Sequence, residues 1–347
     1  MAADRFLPPP PGMDLTQDKR PLIIAVSVTT WVLALTMVLC RILGRRMRGL
    51  RLWLDDWFII AALPPSSGHV LAIATYVRRG LGKHVWSAKP DGVYAWALGL
   101  FVAEICYTLT LVAVKLSILS FYWRSFSVRD SVKLPIFMLA FIVCIWGIAV
   151  LLVTFLQCMP TRAVWERFDP VSPTSPYDYS CPVDPSKFFY GNAVPTIVTD
   201  FVMLALPVPY IWRLQLPHMQ KFGLACVFLV GVFVTIISIV RLYYLLLLDL
   251  NDPDITWNFV PVGVWSIVEG NIAVVCGWDP ETAHASIDFD YLVDNGVTLD
   301  QAIVSDRLPT QRLLQMHWIY PPKPEERSKS RIEGALRQSM TDYIAYK

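Results

Sequence analysis

Apolar residues gather into seven long runs, at positions 22–43, 55–77, 94–122, 134–158, 188–213, 222–248 and 257–276. Each run meets the roughly 17–25 residues that a helix needs to cross about 30 Å of hydrocarbon. None shows the strict alternation over about ten residues that a membrane β-strand carries. The pattern predicts an all-α membrane protein, a bundle of seven transmembrane helices. Its expected parts are a polar extracellular segment, 1–21, a helical domain, 22–276, and a flexible, disordered cytoplasmic tail, 277–347. Pro64-Pro65-Ser66-Ser67-Gly68 removes backbone donors inside the second run and predicts a kink or break there. Pro207 and Pro209 predict a bend at the end of the fifth. No internal repeat is visible, so an inverted-repeat transporter finds no support.

Composition sharpens the class. The chain is 55% hydrophobic and 17% charged, with a mean hydropathy of +0.46. A soluble domain carries about a quarter charged residues, so a soluble enzyme, a disulfide-rich secreted domain and a disordered chain are excluded. The net charge of +2 comes without a basic helix or an aromatic-basic platform, which argues against a nucleic-acid partner. The expected surroundings are a lipid bilayer, of the plasma membrane or an endomembrane. Residues 1–20 lack the apolar core of a signal peptide, so the first helix is expected to stay as an anchor. Arg5, Lys19 and Arg20 precede the first run, and Arg41, Arg45, Arg46, Arg48 and Arg51 follow it. Positive residues are retained in the cytoplasm, which puts the N-terminus outside and the C-terminus inside.

Cys40, Cys106, Cys144 and Cys226 lie within apolar runs and read as packing residues. Cys158 ends the fourth run and Cys181 lies in the long connection 159–187 that faces the oxidising exterior, so these two are expected to form a disulfide. The five histidines are scattered, and no Cys/His spacing suggests a metal site.

Several short patterns carry two readings each. Asp55-Asp56 opens the second helix and Asp254-Ile255-Thr256 the seventh, where carboxylates and hydroxyls cap free amides. Too few aspartates follow at helical spacing for a metal–diphosphate site. Gly80-Leu81-Gly82-Lys83-His84-Val85-Trp86 reads as a tight turn with an interfacial tryptophan, or as a lid over a pocket. Lys115, Ser117, Tyr122 and Arg124 belong to the end of the third helix. There Lys115 is expected to snorkel to the cytoplasmic side and the aromatics to form a belt, or the segment couples to a cytoplasmic signalling partner.

Taken in order, these patterns resemble the fungal rhodopsin-domain integral membrane proteins, a receptor-like, seven-helix family that includes satratoxin-cluster proteins. The resemblance rests on Arg51-x3-Asp55-Asp56-Trp57, Gly80–Trp86, Lys115–Arg124, and Cys158-x-Pro160 with Trp165 and Cys181. It continues with Asn192 and Asp200, Leu206-Pro207, Gln220-Lys221, Gly231, Arg241, Asp254-x-Thr256-Trp257 and Glu269-x-Asn271. It implies a receptor-like fold and, for some relatives, genes beside those of secondary metabolism. It implies no cofactor: the seventh run has no lysine for a retinal Schiff base. Where the family continues with a Cys-Leu-Pro-like stretch, this chain reads Cys276-Gly277-Trp278-Asp279. Segment 1–21 is not expected to hold the cysteine-rich outer domain of some receptor-like relatives.

The last feature is an intramembrane polar cluster. At about 1.5 Å per residue, Glu104 lies about 15 Å, and Asp200 and Glu269 about 18 Å, from the outer ends of their helices, with Arg241 about 10 Å deep. Asn271 follows Glu269 by two positions. Ionisable groups at such depth point into the bundle. They serve either as polar bonding between helices or as a ligand, cation or proton site between helices 3, 5, 6 and 7. Three carboxylates exceed one arginine, so one acid is expected to be protonated or to meet a cation. On the second reading Glu269→Gln abolishes function and spares the fold. The leading functional reading is a receptor-like sensor of a small molecule. The alternatives are a transporter or channel, or an accessory membrane protein or enzyme of a metabolite pathway; a non-enzymatic role is favoured.

Overall fold

The computed structural model describes residues 9–47, 52–125, 130–171, 178–208, 218–250 and 252–277, with only the backbone described for 125, 130–132 and 218–227. The expected tail from Trp278 onward, Arg5, Arg48, Arg51, Pro209 and the side chains of Gln220, Lys221 and Cys226 lie outside this description. Seven long helices follow the seven apolar runs: α1 (Arg20–Met47), α2 (Leu54–Val77), α3 (Gly92–Ser125), α4 (Asp130–Leu156), α5 (Pro185–Ala205), α6 (His218–Leu247) and α7 (Val260–Cys276). All seven segments are long and apolar enough to cross a bilayer. Short turns of helix at Val85–Ser87, Ala163–Glu166 and Ile255–Asn258 punctuate the connections.

Each helix packs on its sequence neighbours, α1 closes on α7, and α3 also reaches α7 through the middle of the bundle. The α2–α3 pairing is the most extensive. Ala34, Val38, Ile59, Tyr107, Leu111 and Val274 form the main core where α1, α2, α3 and α7 meet. The opposite faces are just as apolar. On α4, Leu134, Phe137, Phe141, Ile145, Ile148 and Leu152 are all exposed, spaced three or four apart along one stripe. A stripe of that kind would aggregate in water and is what a lipid-facing surface requires.

Local signals explain the helix ends. Asp184-Pro185-Ser186 starts α5: the Asp184 carboxylate accepts from the Ser186 amide at 3.0 Å, and Pro185 occupies a first-turn position that needs no donor. Pro207 lies two residues beyond the end of α5, where an N–H is no longer needed.

Of the kink or break expected at Pro64 and Pro65, the break does not occur: α2 runs from Leu54 to Val77 through both. Its close packing on α3 holds it.

At one end of the bundle Cys158, after α4, and Cys181, before α5, form the expected disulfide (S–S 1.98 Å), beside a bridge between Met159 and Ser180. The opposite end, the arginine end, holds the C-termini of α1, α3 and α7 with the N-terminus of α2.

Candidate functional site

At the arginine end the residues expected to cap α2 do much more. Arg41 and Arg45 are one turn apart on α1 and face Asp55 and Asp56 at the start of α2. Arg41 reaches Asp55 at 2.5 Å and Asp56 at 2.7 Å, and Arg45 reaches them at 2.9 and 2.8 Å. Arg124 on α3 adds a third guanidinium, 3.2 Å from Asp55. The Ser117 hydroxyl donates to the Asp55 carbonyl at 2.6 Å, and Arg41 also donates to the carbonyl of Gly277. Only the Asp56 contact with the Trp53 amide, at 3.0 Å, is a capping bond. Arg41, Arg45, Asp55 and Asp56 are all buried. Four helices are thus pinned by three cations and two anions, and Arg41 and Arg45 are interior groups rather than loop charges.

In the middle of the bundle, Lys115 does not snorkel. It is 3% exposed, and its ammonium lies 2.9 Å from Asp200, 2.6 Å from the Thr199 hydroxyl and 3.1 Å from the Thr196 carbonyl. The physical reason is that α5 offers three acceptors at that level, a better shell than the distant interface. Lys115 and Asp200 head a crevice of about 80 Å³ between α3, α5, α6 and α7. Its walls are otherwise apolar, and it runs toward the arginine end past Tyr122, Pro207 and Cys276.

A second polar set lies on the other side of Asp200. The Ser238 hydroxyl on α6 is 3.3 Å from Asp200 and donates to Glu269 at 2.5 Å. Glu269 also accepts from the Tyr107 hydroxyl at 2.8 Å and meets the Arg241 Nε at 2.8 Å. The Arg241 guanidinium lies over the Tyr107 ring, 4.9 Å from its centre. One turn earlier on α3, Glu104 accepts from the Asn192 amide nitrogen at 2.5 Å. The expected residues thus sit in two ion pairs, Lys115–Asp200 and Arg241–Glu269, with Ser238 between them, and in a separate carboxyl–amide pair, Glu104–Asn192.

Asn271 is not part of it. It accepts from Ser66 at 2.8 Å and donates to Thr30 at 2.9 Å, which ties α7 to α2 and α1. A two-residue step along a helix turns a side chain by about 200°, so Glu269 and Asn271 face different neighbours.

At the disulfide end, Gly80 and Gly82 take φ values of 139° and 90°, the left-handed region that glycine tolerates. This shape turns the α2–α3 loop onto the start of α7. The Asp254 carboxylate, expected to cap its own helix, instead meets His84 Nδ1 at 2.5 Å and accepts from the Val85 amide at 2.8 Å. His84 stacks on Trp257 with ring centres 4.1 Å apart, and the Lys19 ammonium sits 3.7 Å from the Trp257 ring centre. Burial lowers the pKa of Lys19, while Asp254 opposes that shift. Gly82 also bonds through its backbone to Lys19 and Thr256. The loop is a clasp joining three segments. Trp86 lies within it, on the short turn Val85–Ser87.

Sequence reasoning missed Arg41 and Arg45 as partners of Asp55 and Asp56, and missed Ser238 and Thr199 altogether. Opposite charges at one membrane level of neighbouring helices were a usable signal for the first pair. A lone hydroxyl in an apolar run offers none. Among the described residues no group of His, Cys, Asp and Glu is placed to hold a metal ion.

Comparison with known proteins bears on what this arrangement serves. Residues 40–285 match the fungal rhodopsin domain. A SAT4 family membrane protein of Emericella nidulans is 27% identical over 184 residues, 52% of this chain and 46% of that protein. Satratoxin biosynthesis SC1 cluster protein 4 of Stachybotrys chartarum is 27% identical over 170 residues, 49% of this chain and 58% of its own. The polyenoic acids biosynthesis gene cluster protein Ba17b of Metarhizium anisopliae is 24% identical over 337 residues, 92% of this chain and 87% of that one. The chain spans about half the length of the first two and most of the third. No solved structure matches it.

Proposed function

This chain belongs to the fungal rhodopsin domain family and is an integral, multi-pass membrane protein; from that premise we propose that it is a receptor-like sensor of a small, lipid-soluble molecule. The observation that carries the proposal is the crevice headed by Lys115 and Asp200. Apolar walls with a few convergent polar groups are the usual composition of a small-molecule site. A ligand that engages either charge competes with the 2.9 Å ion pair. The Ser238 hydroxyl can give its one proton to Asp200 or to Glu269, the partner of Arg241, so that competition re-sorts bonds on four helices.

Size turns binding into movement. Sites for drug-sized ligands measure about 300–1,000 Å³, and this crevice holds about 80 Å³. An occupied state needs α5 and α6 to part, and a ligand that prefers the parted form shifts the population toward it. In the proposed orientation segment 1–21 is extracellular and the crevice opens toward the cytoplasm, where a signalling partner reads the change. Relatives named for biosynthesis clusters suggest a pathway metabolite as ligand. Nothing in the proposal involves retinal, since α7 contains no lysine.

The test uses the full-length protein in nanodiscs, screened for thermal stabilisation against fractionated extract of a metabolite-producing fungus. The expected result is a stabilising small molecule whose effect is lost in the double variant Lys115→Met, Asp200→Leu. The proposal is overturned if no fraction stabilises the protein, or if the double variant responds unchanged. Net flux of the stabilising molecule into vesicles holding only this protein would replace the sensor with a transporter.

A further inference from the structure

Five ionisable side chains meet between α3, α5, α6 and α7. Lys115 is 2.9 Å from Asp200, and Arg241 Nε is 2.8 Å from Glu269 Oε2. These pairs use both cations, and Glu104 is left over. Among the described residues its hydrogen-bond partner is a neutral group, the Asn192 amide nitrogen at 2.5 Å. An ionised carboxylate without a counter-charge in so apolar a setting is too costly to persist, and the group takes up a proton instead.

Three further atoms point to the same place. Asn192 Oδ1, Arg241 Nη2 and Arg241 Nε are all buried without a hydrogen-bond partner, the Nε approach to Glu269 being an ion-pair contact only. Asn192 belongs to the residue already bonded to Glu104. Arg241 lies over Tyr107, one turn along α3 from Glu104. Native proteins leave few buried donors or acceptors unpaired, and each exception asks for an explanation.

We propose that Glu104 and Asn192 form a proton-binding site between α3 and α5, occupied in the arrangement seen here. The ligand is a proton, held on the Glu104 carboxyl. Its release leaves a carboxylate and one proton in water, and takes the five-group set from neutral to a charge of minus one. Glu104 then competes with Glu269 for Arg241, whose unpartnered Nη2 is the donor in reserve. As Arg241 turns toward Glu104, Glu269 loses its cation while Tyr107 and Ser238 still hold it. Ser238 also touches Asp200, so the proton is coupled to the crevice, and by linkage a change at the crevice alters the affinity for the proton. The other groups in this neighbourhood are Tyr107 on α3, Asp200 on α5 and His69 on α2, whose ring meets Tyr107 edge-on at 6.5 Å. The proton site stands whether or not the crevice binds a metabolite.

The experiment is infrared spectroscopy of the full-length protein in nanodiscs, with and without isotopically labelled glutamate, over a pH series that spans neutrality. The expected result is a carbonyl stretch of a protonated carboxylic acid that shifts with the glutamate label, fades as pH rises and is missing from Glu104→Gln. Glu269→Gln frees Arg241 to pair with Glu104, so in that variant the band fades at a lower pH than in the native protein. If Glu104→Gln does not fold, Glu104→Asp keeps a carboxylic-acid band and removes it from the labelled set. Absence of a label-sensitive carboxyl band at every pH overturns the proposal. So does a band that survives both Glu104 substitutions unchanged.

Discussion

Replacing Asp55 by Asn keeps the shape of the arginine end and removes one of its two anions. Asp55 meets Arg41 at 2.5 Å, Arg45 at 2.9 Å and Arg124 at 3.2 Å, with a side chain that is 1% exposed. The substitution leaves three guanidiniums facing the single carboxylate of Asp56. Breaking a buried ion pair by removing one partner costs about 3–5 kcal/mol, most of it from the charge left behind. Arg124→Met acts on the same carboxylate from the other side and leaves two cations facing two anions. Its side chain is 21% exposed, so its loss is worth under about 1 kcal/mol, in the range of partly solvated pairs. Thermal unfolding of the full-length protein in nanodiscs separates the two. At roughly 2–4 °C per kcal/mol for a domain of this size, Asp55→Asn lowers Tm by roughly 6–20 °C and Arg124→Met by a few degrees at most. Equal losses, or a greater loss for Arg124→Met, would refute the reasoning that excess positive charge governs this end.

Other substitutions test other parts of the structure. Gly82→Ala forces a side chain onto a φ of 90° and puts its Cβ 2.9 Å from the Ile23 side chain, so Tm falls; Gly191→Ala, with nothing within 4 Å on α5, leaves Tm unchanged or raises it. Serine at both Cys158 and Cys181 removes a bridge across 23 residues, worth roughly 3 kcal/mol in the chain-entropy account; non-reducing peptide mapping of the native protein recovers the linked pair. Glu269→Gln leaves the buried Arg241 without its direct anion and costs about 3–5 kcal/mol of stability, unlike a substitution that spares the fold; a variant as stable as the native protein in a denaturation series would refute this.

The number and position of the helices were legible because length and hydropathy decide them residue by residue. The disulfide was legible because the two cysteines flank one connection. Side-chain partners were much less so. A soluble helix shows its inner face by apolar periodicity, but here lipid makes the outer face apolar as well, as Phe137 and Phe141 on α4 illustrate. Periodicity therefore did not say that Lys115 faces α5 or that Asn271 faces α1 and α2. Asp55 and Asp254 were read as caps because capping is local to one helix, whereas their actual partners lie on α1 and in the α2–α3 loop. At Pro64 and Pro65 local backbone chemistry allows either a kink or a break, and packing against α3 keeps α2 continuous.

The proposal that ligand occupancy parts α5 from α6 is tested most directly by a distance. Val202 on α5 and Leu229 on α6 both face outward, and cysteines placed there carry spin labels after Cys40, which is exposed, is changed to Ser. Pulsed electron resonance is recorded in nanodiscs with and without the molecule that stabilises the protein in the extract screen. The account predicts a longer component in the distance distribution on binding, absent when Lys115→Met and Asp200→Leu are also present. An unchanged distribution with the molecule demonstrably bound would contradict it.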